Sequence, residues 1–407
     1  MKLLIASMLL FGVTAPALAQ RPTAVELGIP TVLPRGASNA ITDVAGVEVG
    51  YATLISGSGP LRVGEGPVRT GVTTILPRGR AAGDTVFAGW FSLNGNGEMT
   101  GTTWIEQSGR MEGPMAITNT HSVGVVRDAV IEWMAEHRPD FLFALPVVAE
   151  TYDGTLSDIN GMHVQREHVF AALDSAHGGT IAQGNVGGGT GMMCFGLKGG
   201  TGTASRVVSA NAGGYTVGVL VQCNFGNRPR FSPLGVPVGR ELPTTLRPCR
   251  APGVQPTREQ FGGLPECAAG GDDARDVQIL PEGAGSIIIV IATDAPLLPH
   301  QLKRVATRAS IAVGRVGGLG ETSSGDIFLA FSTANRAALA SADNVASYES
   351  VSDELLNPIY AAAVEATEEA ILNAMLAAET MTGADGFRIH ALPSDFLLET
   401  LRKYGRM

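Results

Sequence analysis

An unbroken apolar run, Ile-Ile-Ile-Val-Ile-Ala at residues 287–292, most constrains what this chain can fold into. A short run of β-branched residues without alternation is typical of a strand buried on both faces. Ser286 stands at the entrance of this strand, which is a rigid place to hold a reactive hydroxyl. Gly285 before it leaves the backbone free to bend. Taken alone, the junction could also be a loop that ends where a strand begins.

The composition indicates a globular chain with a large core. The 407 residues are enough for one large domain or two ordinary ones, and 44% of them are hydrophobic while 16% are charged. The 53 glycines occur in clusters, which indicates tight turns and close backbone approaches rather than disorder. The net charge of −9, with no block of basic residues, argues against nucleic acid as the main partner.

The N-terminus has the pattern of a secretory signal. Met1-Lys2 is a short positive start, residues 3–13 are apolar, and Ala17-Leu18-Ala19 is a small-x-small cleavage site. The alternative is an N-terminal membrane anchor, but the apolar stretch is too short to span a bilayer comfortably. We therefore predict cleavage after residue 19 and export to a bacterial periplasm, with no membrane association afterwards.

Export permits disulfides, and the four cysteines differ in their surroundings. Cys249 and Cys267 lie in a polar, Pro/Gly-rich stretch, where a bond between them could close a loop. Cys194 and Cys223 lie among apolar residues and are predicted to be free core thiols. No spacing of cysteine and histidine indicates zinc, and we predict neither a metal nor a cofactor.

Residue periodicity predicts strands and helices that mix without strict alternation. The Asn-Gly-Asn-Gly run at 94–97 predicts a hairpin turn between the strand at 85–91 and residues 99–105. The predicted strands cover residues 71–76, 85–91, 115–120, 141–148, 203–210, 215–223, 286–292 and 326–331, and the predicted helices cover residues 123–136, 169–174, 299–313, 353–379 and 394–404. The expected architecture is of the α+β class, with sheets layered between helices.

Two stretches lack such periodicity. Residues 228–281 are polar and rich in proline, and a structureless connection of that length is unusual inside a compact domain. We predict a surface excursion that is partly disordered. The glycine-rich run at 184–191 has no following Lys-Ser/Thr, which argues against a phosphate loop and favours a glycine-walled pocket or a packing turn.

A serine nucleophile in this chain needs an unusual base, because no Ser-His-Asp pattern is present and Gly-x-Ser-x-Gly is absent. A serine at a chain terminus carries its own base: the α-amino group has a pKa near 8 and can accept the hydroxyl proton. Gly285-Ser286 fits a cut that would free such a terminus. The glycine lets the scissile carbonyl approach the hydroxyl, and the long connection upstream could swing away.

Five stretches in order along the chain, spread over most of it, match one known family. They are PVVAETYDG at 146–154, GNVGGGTG at 184–191, QCNFG at 222–226, GSIIIVIATDAPL at 285–297 and SGDIFLAFSTAN at 324–335. With these stretches the chain resembles the self-processing serine aminopeptidases of the DmpA type. That family includes the L-aminopeptidase/D-Ala-esterase/amidases and the β-peptidyl aminopeptidases.

The resemblance implies an αββα sandwich of the type shared with the ornithine acetyltransferase-like proteins, and the logic of an N-terminal-nucleophile hydrolase. It implies self-cleavage between Gly285 and Ser286. The products would be a large chain, 20–285, and a small chain, 286–407, which together form one catalytic domain. Ser286 would be both the self-cleaving residue and the catalytic nucleophile.

The resemblance also implies roles for three residues around this serine. Ser324 matches a second active-site serine, Asp326 falls where a carboxylate completes that cluster, and Asn224 matches an amide that stabilises the oxyanion. Singly, Asn224 could be a turn residue, and the other two could cap a strand entry. Their joint occurrence carries the interpretation.

Two further residues fall in the segment that receives the substrate's free amino group. A carboxylate suits a cationic N-terminus, so Glu150 is the predicted anchor, with Tyr152 beside it as wall or donor. The strand predicted at 141–148 would leave Glu150 at its end, whereas Asp153 before Gly154 is predicted to form a turn. A surface ion pair and a packing aromatic are the alternatives for Glu150 and Tyr152.

We therefore interpret the chain as an aminopeptidase that acts on short peptides, amino-acid amides or esters, with α- or β-residues and L or D forms left open. A homo-oligomer of αβ heterodimers is expected. One alternative is an ornithine acetyltransferase-like acyltransferase, against which the serine at 286 and the signal segment argue. Another is a non-catalytic periplasmic binding protein of the same fold. The connection between Asn224 and Ser286 looks longer than is usual in the family, which bears on substrate size.

Overall fold

The computed structural model describes most of the chain, namely residues 21–80, 85–138, 141–267, 285–341 and 344–407. The predicted signal segment, residues 1–19, lies outside the described residues. So does the end of the long connection, residues 268–281.

The strands form two main sheets. In chain order they are β1 (Glu48–Ser56), β2 (Val68–Leu76), β3 (Val86–Ser92), β4 (Arg110–Met111), β5 (Met115–Asn119), β6 (Val147–Thr151), β7 (Met193–Cys194), β8 (Leu197–Lys198), β9 (Gly200–Val207), β10 (Thr216–Asn224), β11 (Cys249–Arg250), β12 (Gly285–Thr293), β13 (Ser324–Ser332), β14 (Met381–Thr382) and β15 (Phe387–Ile389). The six-stranded sheet has the order β4-β3-β13-β12-β10-β9, and the four-stranded sheet has the order β1-β2-β5-β6. Two small sheets, β11-β15-β14 and β7-β8, accompany them.

The α-helices of the described residues are α1 (Thr102–Ser108), α2 (Val123–His137), α3 (Arg166–Asp174), α4 (Val238–Glu241), α5 (Pro299–Val316), α6 (Arg336–Ala340), α7 (Leu356–Leu376) and α8 (Ser394–Lys403). Helices α5 and α7 cover the outer face of the six-stranded sheet, and α2 and α3 cover that of the four-stranded sheet. Among the described residues, none of these helices is long and apolar enough to cross a membrane.

Apolar side chains form three layers that define the sandwich. In β12, Ile287 and Ile289 pack with α5 and α7, whereas Ile288 and Val290 pack between the two sheets. This alternation is the pleat of a strand, and it buries both faces, as the apolar run predicts. A third layer lies between the four-stranded sheet and helices α2 and α3. The predicted αββα sandwich is therefore confirmed.

The two central strands of the six-stranded sheet begin side by side. β12 and β13 are parallel, and α5 makes the crossover between them. α5 begins at Pro299 and ends at Val316, and it is capped by Gly317, whose φ of 109° lies in the left-handed region that glycine adopts readily. β10 runs antiparallel to β12 on its other side. The start of β12, the start of β13 and the end of β10 therefore lie at one edge of the sandwich.

The hairpin predicted at residues 94–97 is wrong. β3 pairs with β13 and β4, and the chain after β3 enters a loop and then helix α1. The asparagines of this run make long-range contacts instead. Asn94 Nδ2 donates to Asp326 Oδ2 at 3.0 Å, and Asn96 Nδ2 donates to the carbonyl of Ser323 at 2.7 Å.

The strand predicted at 141–148 is displaced along the chain. β6 begins only at Val147, after Pro146, and Leu142 and Phe143 are 92% and 65% exposed. Proline has no backbone N–H to donate to a neighbouring strand, so β6 begins at the residue after it. Glu150 consequently lies inside β6 rather than after its end.

The long connection is structured where it is described, so the predicted structureless excursion is wrong for residues 228–267. It contains helix α4 and strand β11, and Phe231 and Phe261 are fully buried. A disulfide between Cys249 and Cys267 closes part of it, with the two Cα atoms 5.2 Å apart. These contacts fix the connection to the body of the protein.

The cysteines predicted to be free are also paired. Cys194 in β7 and Cys223 in β10 form a disulfide, and their Cα atoms lie 5.7 Å apart. Both side chains are fully buried, so the apolar surroundings were recognised correctly. The pairing is long-range and depends on β7 packing beside the end of β10.

Candidate active site

Ser286 lies where three strands meet. In the β-ladders it is the direct partner of Asn224 on β10 and of Gly325 on β13, and Gly285 is the partner of Ser324. Ser286 is only 4% exposed. Four of the predicted site residues therefore gather at one edge of the six-stranded sheet.

The hydroxyl of Ser286 contacts the peptide group before it. Oγ donates to the carbonyl oxygen of Gly285 at 2.5 Å and accepts from the N–H of Gly325 at 3.2 Å. A Cβ atom at residue 285 would lie 2.4 Å from the carbonyl oxygen of Asn224, which is far closer than real contacts allow. The backbone before Ser286 therefore requires glycine, because the chain passes against the end of β10.

Ser324 and Asp326 form a buried pair beside this serine. Ser324 Oγ donates to Asp326 Oδ1 at 2.6 Å. Asn94 binds Asp326 twice, since its Nδ2 donates to Oδ2 at 3.0 Å and its Oδ1 accepts from the backbone N–H at 2.7 Å. Burial raises the pKa of Asp326, while the hydrogen bonds from Ser324 and Asn94 oppose that shift. The carboxylate is therefore held rigidly and orients the Ser324 hydroxyl.

The carboxamide of Asn224 is held at both ends. Its Oδ1 accepts from the N–H of Met193 at 2.8 Å, and its Nδ2 donates to the carbonyl of Tyr152 at 3.0 Å. The amide nitrogen carries a second N–H. Because Asn224 is the cross-strand partner of Ser286, its side chain projects from the same face of the sheet as the serine.

Glu150 lies in β6 with its carboxylate buried, and it is 3% exposed. Oε2 accepts from Thr120 Oγ1 at 2.5 Å, and Oε1 accepts from the N–H of Glu98 at 3.0 Å. Burial raises the pKa of Glu150, and these two hydrogen bonds oppose the shift. A Cβ atom at Gly97 would lie 3.3 Å from Glu150 Oε1 and 3.0 Å from Gly325 Cα, so a single glycine separates the carboxylate from the strand beside Ser286.

Tyr152 and Asp153 differ sharply in exposure. Tyr152 is 42% exposed, and its backbone carbonyl supports Asn224. Asp153 forms the predicted turn, since its carbonyl accepts from the N–H of Leu156, but its side chain is fully buried. Neither carboxylate oxygen makes a standard hydrogen bond within the described part of the chain. Burial raises the pKa of Asp153 to about 7, and the polar side chains of Thr70 and Asn119 near the carboxylate oppose the shift without reaching standard hydrogen-bond geometry.

The long connection borders this segment. Arg258 Nη1 donates to the carbonyl of Gly154 at 2.5 Å, and Arg258 Nε donates to Asp385 Oδ2 at 2.6 Å. The guanidinium also lies 4.2 Å from the ring centroid of Phe261. Residues of the connection therefore form one wall near Tyr152.

Sequence reasoning missed three side chains that touch the site residues or their supports. Asn94 binds Asp326, Thr120 binds Glu150, and Lys198 binds the carbonyl of Met192 next to the peptide N–H that holds Asn224. A polar residue shortly after a strand, as Asn94 is two residues after the end of β3, could have indicated its role. For Lys198, the apolar surroundings of residues 192–197 could have indicated burial.

The fold and this edge define a class of protein. An αββα sandwich that carries a serine at the start of a central strand, against the carbonyl of the preceding glycine, has the architecture of the N-terminal-nucleophile hydrolases. Within the described ranges, no group of three or more His, Cys, Asp and Glu side chains is arranged to hold a metal ion.

The chain belongs to peptidase family S58, whose family model matches residues 39–389. It is 53% identical over 404 residues to "Beta-peptidyl aminopeptidase BapA" of Sphingosinicella microcystinivorans, which covers 99% of this chain and 97% of the relative. It is 44% identical over 398 residues to the protein of the same name from Sphingosinicella xenopeptidilytica, covering 97% and 94%. The family resemblance seen in the sequence is thus confirmed, and the protein is a hydrolase of the peptidase and amidase class.

A solved structure agrees with the fold. The L-aminopeptidase D-Ala-esterase/amidase from Ochrobactrum anthropi, described as a variant of the Ntn hydrolase fold, superposes with a TM-score of 0.80. The two chains are 44% identical, and the match covers 95% of this chain and 99% of the other. The acyltransferase alternative is not favoured by these relatives.

Proposed function

We propose that the protein is a self-processing aminopeptidase in which Ser286 first cuts the bond before it and then serves as the nucleophile. One observation carries this proposal: Ser286 Oγ donates to the Gly285 carbonyl at 2.5 Å while the N–H of Gly325 donates to Oγ from its other side. The hydroxyl lies against the carbonyl group that it would attack, at a glycine that no other residue could replace.

Self-cleavage begins when Ser286 Oγ bonds to the carbonyl carbon of Gly285 and gives up its proton. The C–N bond between Gly285 and Ser286 then breaks, and the nitrogen gains a proton, so that an ester replaces the amide. Water hydrolyses this ester. The products are the large chain, 20–285, with a terminal carboxylate, and the small chain, 286–407, with a free α-amino group on Ser286.

In the mature protein, that α-amino group acts as the base. With a pKa near 8 it is partly neutral at working pH, so it accepts the Ser286 hydroxyl proton as Oγ attacks the substrate carbonyl. Asn224 Nδ2 donates to the oxyanion. The protonated amine passes its proton to the leaving amine, and water then hydrolyses the acyl-enzyme. Ser324, oriented by Asp326, lies next to the new terminus and positions it.

Glu150 anchors the free amino group of the substrate in this proposal. A protonated amine restores a charge partner to a buried carboxylate whose pKa is otherwise raised by burial. Gly97, between Glu150 and Gly325, leaves a short distance from the anchor to the reacting carbonyl. Tyr152 is the half-exposed wall of that space, with Arg258 of the long connection behind it. This arrangement suits an exopeptidase acting on short substrates.

The substrate class follows from the same anchor and from the relatives. Two relatives are named β-peptidyl aminopeptidases, so we include peptides and amides that begin with a β-amino acid. A panel of α- and β-aminoacyl amides, with N-acetylated copies as controls, tests this assignment. Equal turnover of free and acetylated substrates would contradict the exopeptidase reading.

Intact-mass analysis of the purified protein tests the processing step. Two fragments are expected, one of them beginning at Ser286. Ser286→Ala should give uncut, inactive protein with a melting temperature near that of the wild type, whereas Ser310→Ala on helix α5 should be processed normally. Uncut wild-type protein without turnover would instead favour a binding protein of the same fold.

Export and assembly are further parts of the proposal. The signal pattern at residues 1–19 supports cleavage after Ala19 and a periplasmic location, and N-terminal sequencing of the large chain from a periplasmic fraction tests both. A homo-oligomer of αβ heterodimers is the proposed assembly, and light scattering on the mature protein gives its mass.

A further inference from the structure

Lys198 is a buried lysine that the reaction described above does not use. It ends β8 and is fully buried. Its Nζ donates to the carbonyls of Met192 at 2.8 Å and Gly199 at 2.9 Å, with that of Gly189 at 3.5 Å. In the described part of the chain, these acceptors are all backbone carbonyls, and no carboxylate is among them.

An ammonium group without a carboxylate is costly to bury. Burial lowers the pKa of Lys198 to about 7. Carbonyl dipoles alone compensate this charge only in part, so near neutral pH the side chain is divided between its ammonium and neutral forms. Negative charge that develops nearby during a reaction would favour the ammonium form and be stabilised by it.

The Met192–Met193 peptide connects Lys198 to Asn224. Its carbonyl oxygen accepts from Lys198 Nζ at 2.8 Å, and its N–H donates to Asn224 Oδ1 at 2.8 Å. One planar peptide group thus contacts Lys198 Nζ through its carbonyl oxygen and the Asn224 carboxamide through its N–H.

The β7–β8 hairpin fixes this arrangement. Met193 and Lys198 are direct cross-strand partners, and the two-residue turn between the strands has positive φ at both Phe195 and Gly196. The N–H of Gly199 donates to the same Met192 carbonyl at 2.9 Å. Lys198 therefore has little freedom to move away from the peptide.

We infer that Lys198 is a positioning residue that polarises the Asn224 carboxamide through the Met192–Met193 peptide and so strengthens its N–H bond to the oxyanion. A cation on the carbonyl makes the peptide N–H a stronger donor, and a stronger bond to Oδ1 makes the Nδ2 hydrogens more acidic. The inference rests on the proposed role of Asn224 as oxyanion donor.

A purely structural role makes a different prediction. If Lys198 only ties the glycine turn to β8, its replacement should lower stability and leave turnover unchanged. If it polarises Asn224, replacement should lower kcat with little effect on KM, because the oxyanion exists only after the substrate is bound.

Two neutral variants test this. Lys198→Met removes the charge and the donors, whereas Lys198→Gln removes the charge but keeps an amide donor for the carbonyls, which protects folding if the Met variant is unstable. Thr190→Val is the matched control, because it removes a buried hydrogen bond from the same glycine turn, Thr190 Oγ1 to the Gly187 carbonyl at 2.6 Å, without any charge. kcat, KM and melting temperature are measured with a chromogenic aminoacyl anilide.

We expect both Lys198 variants to lose about tenfold in kcat with KM nearly unchanged, and the control to lose only stability. In an Asn224→Ala background, Lys198→Gln should change kcat less than about twofold, because the group it acts through is gone. If a variant is not fully processed, the first-order rate constant of its self-cleavage is compared between the variants in place of kcat.

Three results would overturn the inference. Lys198 variants that behave like Thr190→Val show a structural role, and an equal loss of kcat in both backgrounds shows that Lys198 does not act through Asn224. Both leave the proposed function intact. The third result is an Asn224→Ala protein with wild-type kcat, which would also contradict the assignment of Asn224 as oxyanion donor. This result distinguishes failure of the proposed role of Asn224 from failure of the inference about Lys198 alone.

Discussion

Ser286 and Asn224 are direct cross-strand partners on β12 and β10. In an antiparallel pair, opposite side chains project from the same face with Cβ atoms about 5 Å apart. The hydroxyl and the carboxamide therefore approach the same small space at the edge of the sheet. A carbonyl group that Ser286 attacks would carry its developing negative charge within reach of Asn224.

Removing this amide should affect turnover much more than folding. We expect Asn224→Ala to lower kcat about a hundredfold or more, as loss of one oxyanion donor typically does. Its melting temperature should fall only modestly, because the loss of stability is limited to the two hydrogen bonds that the carboxamide makes to backbone groups. Asn211→Ala, at an exposed turn, is the control and should match the wild type in kcat.

Neutralising the proposed amine anchor should alter substrate preference. Glu150→Gln should weaken the binding of free-amine substrates by about 1.5–3 kcal/mol, which is the usual contribution of a hydrogen bond to a charged group. The ratio of kcat/KM between free and N-acetylated substrates measures this effect. Self-cleavage should proceed almost normally, because the uncut chain presents no free amine at Ser286. Blocked processing, or an unchanged ratio, would move the anchor elsewhere.

The Thr120 hydroxyl should tune the pH dependence of the same carboxylate. Its hydrogen bond lowers the pKa of Glu150 against the larger effect of burial, so Thr120→Val should raise that pKa further. Glu150 must be ionised to bind an ammonium group, and kcat/KM for free-amine substrates falls as pH drops through its pKa. As the pH is lowered, the variant should therefore begin to lose activity at a higher pH than the wild type does. The fall of kcat/KM at low pH should be absent in Glu150→Gln, and its presence there would assign it to the titration of another group.

The buried Asp153 should make stability depend on pH. Its folded pKa of about 7 lies above the ordinary value of 3.8, so the folded state favours the protonated form. The stability that protonation provides is complete below the ordinary value and is lost as pH rises through 7. Asp153→Asn, a neutral replacement, should raise the free energy of unfolding at pH 8 by up to about 4 kcal/mol.

Calorimetry at pH 8 and pH 5 measures this difference, and the gain should be smaller at pH 5. The exposed Asp128→Asn is the control and should change little at either pH. An Asp153→Asn protein that is less stable at pH 8 would show that the carboxylate has a stabilising partner.

The sequence predicts the centre of the molecule well because its signals there are local. The run after Ser286 consists of β-branched residues that suit only a doubly covered strand, and β12 covers Gly285–Thr293. The motif at residues 324–335 likewise begins β13. Local backbone preference and burial point to the same structure in both segments.

The supports of the site are long-range, and single-sequence patterns miss them. Asn94 and Asp326 are 232 residues apart, and a local reading of the Asn-Gly run gives a hairpin instead. Lys198 reaches Asn224 only through a hairpin that packs against the end of β10. Glu150 was expected after a strand, but Pro146 delays β6 so that the residue lies within it. In each place, contacts between distant segments outweigh the local preference.

The strand order has a consequence for the proposed self-cleavage. β12 begins at the Gly285–Ser286 bond and β13 follows it, yet both strands stand between β3 and β10, which precede the bond. Cleavage would interrupt the covalent chain while the hydrogen-bonded sheet remains continuous from β4 to β9. The two pieces would then be interleaved rather than docked, so they could part only by opening the middle of the sheet. Once unfolded, they would have to find each other as separate molecules, and recovery of activity on refolding should depend on protein concentration.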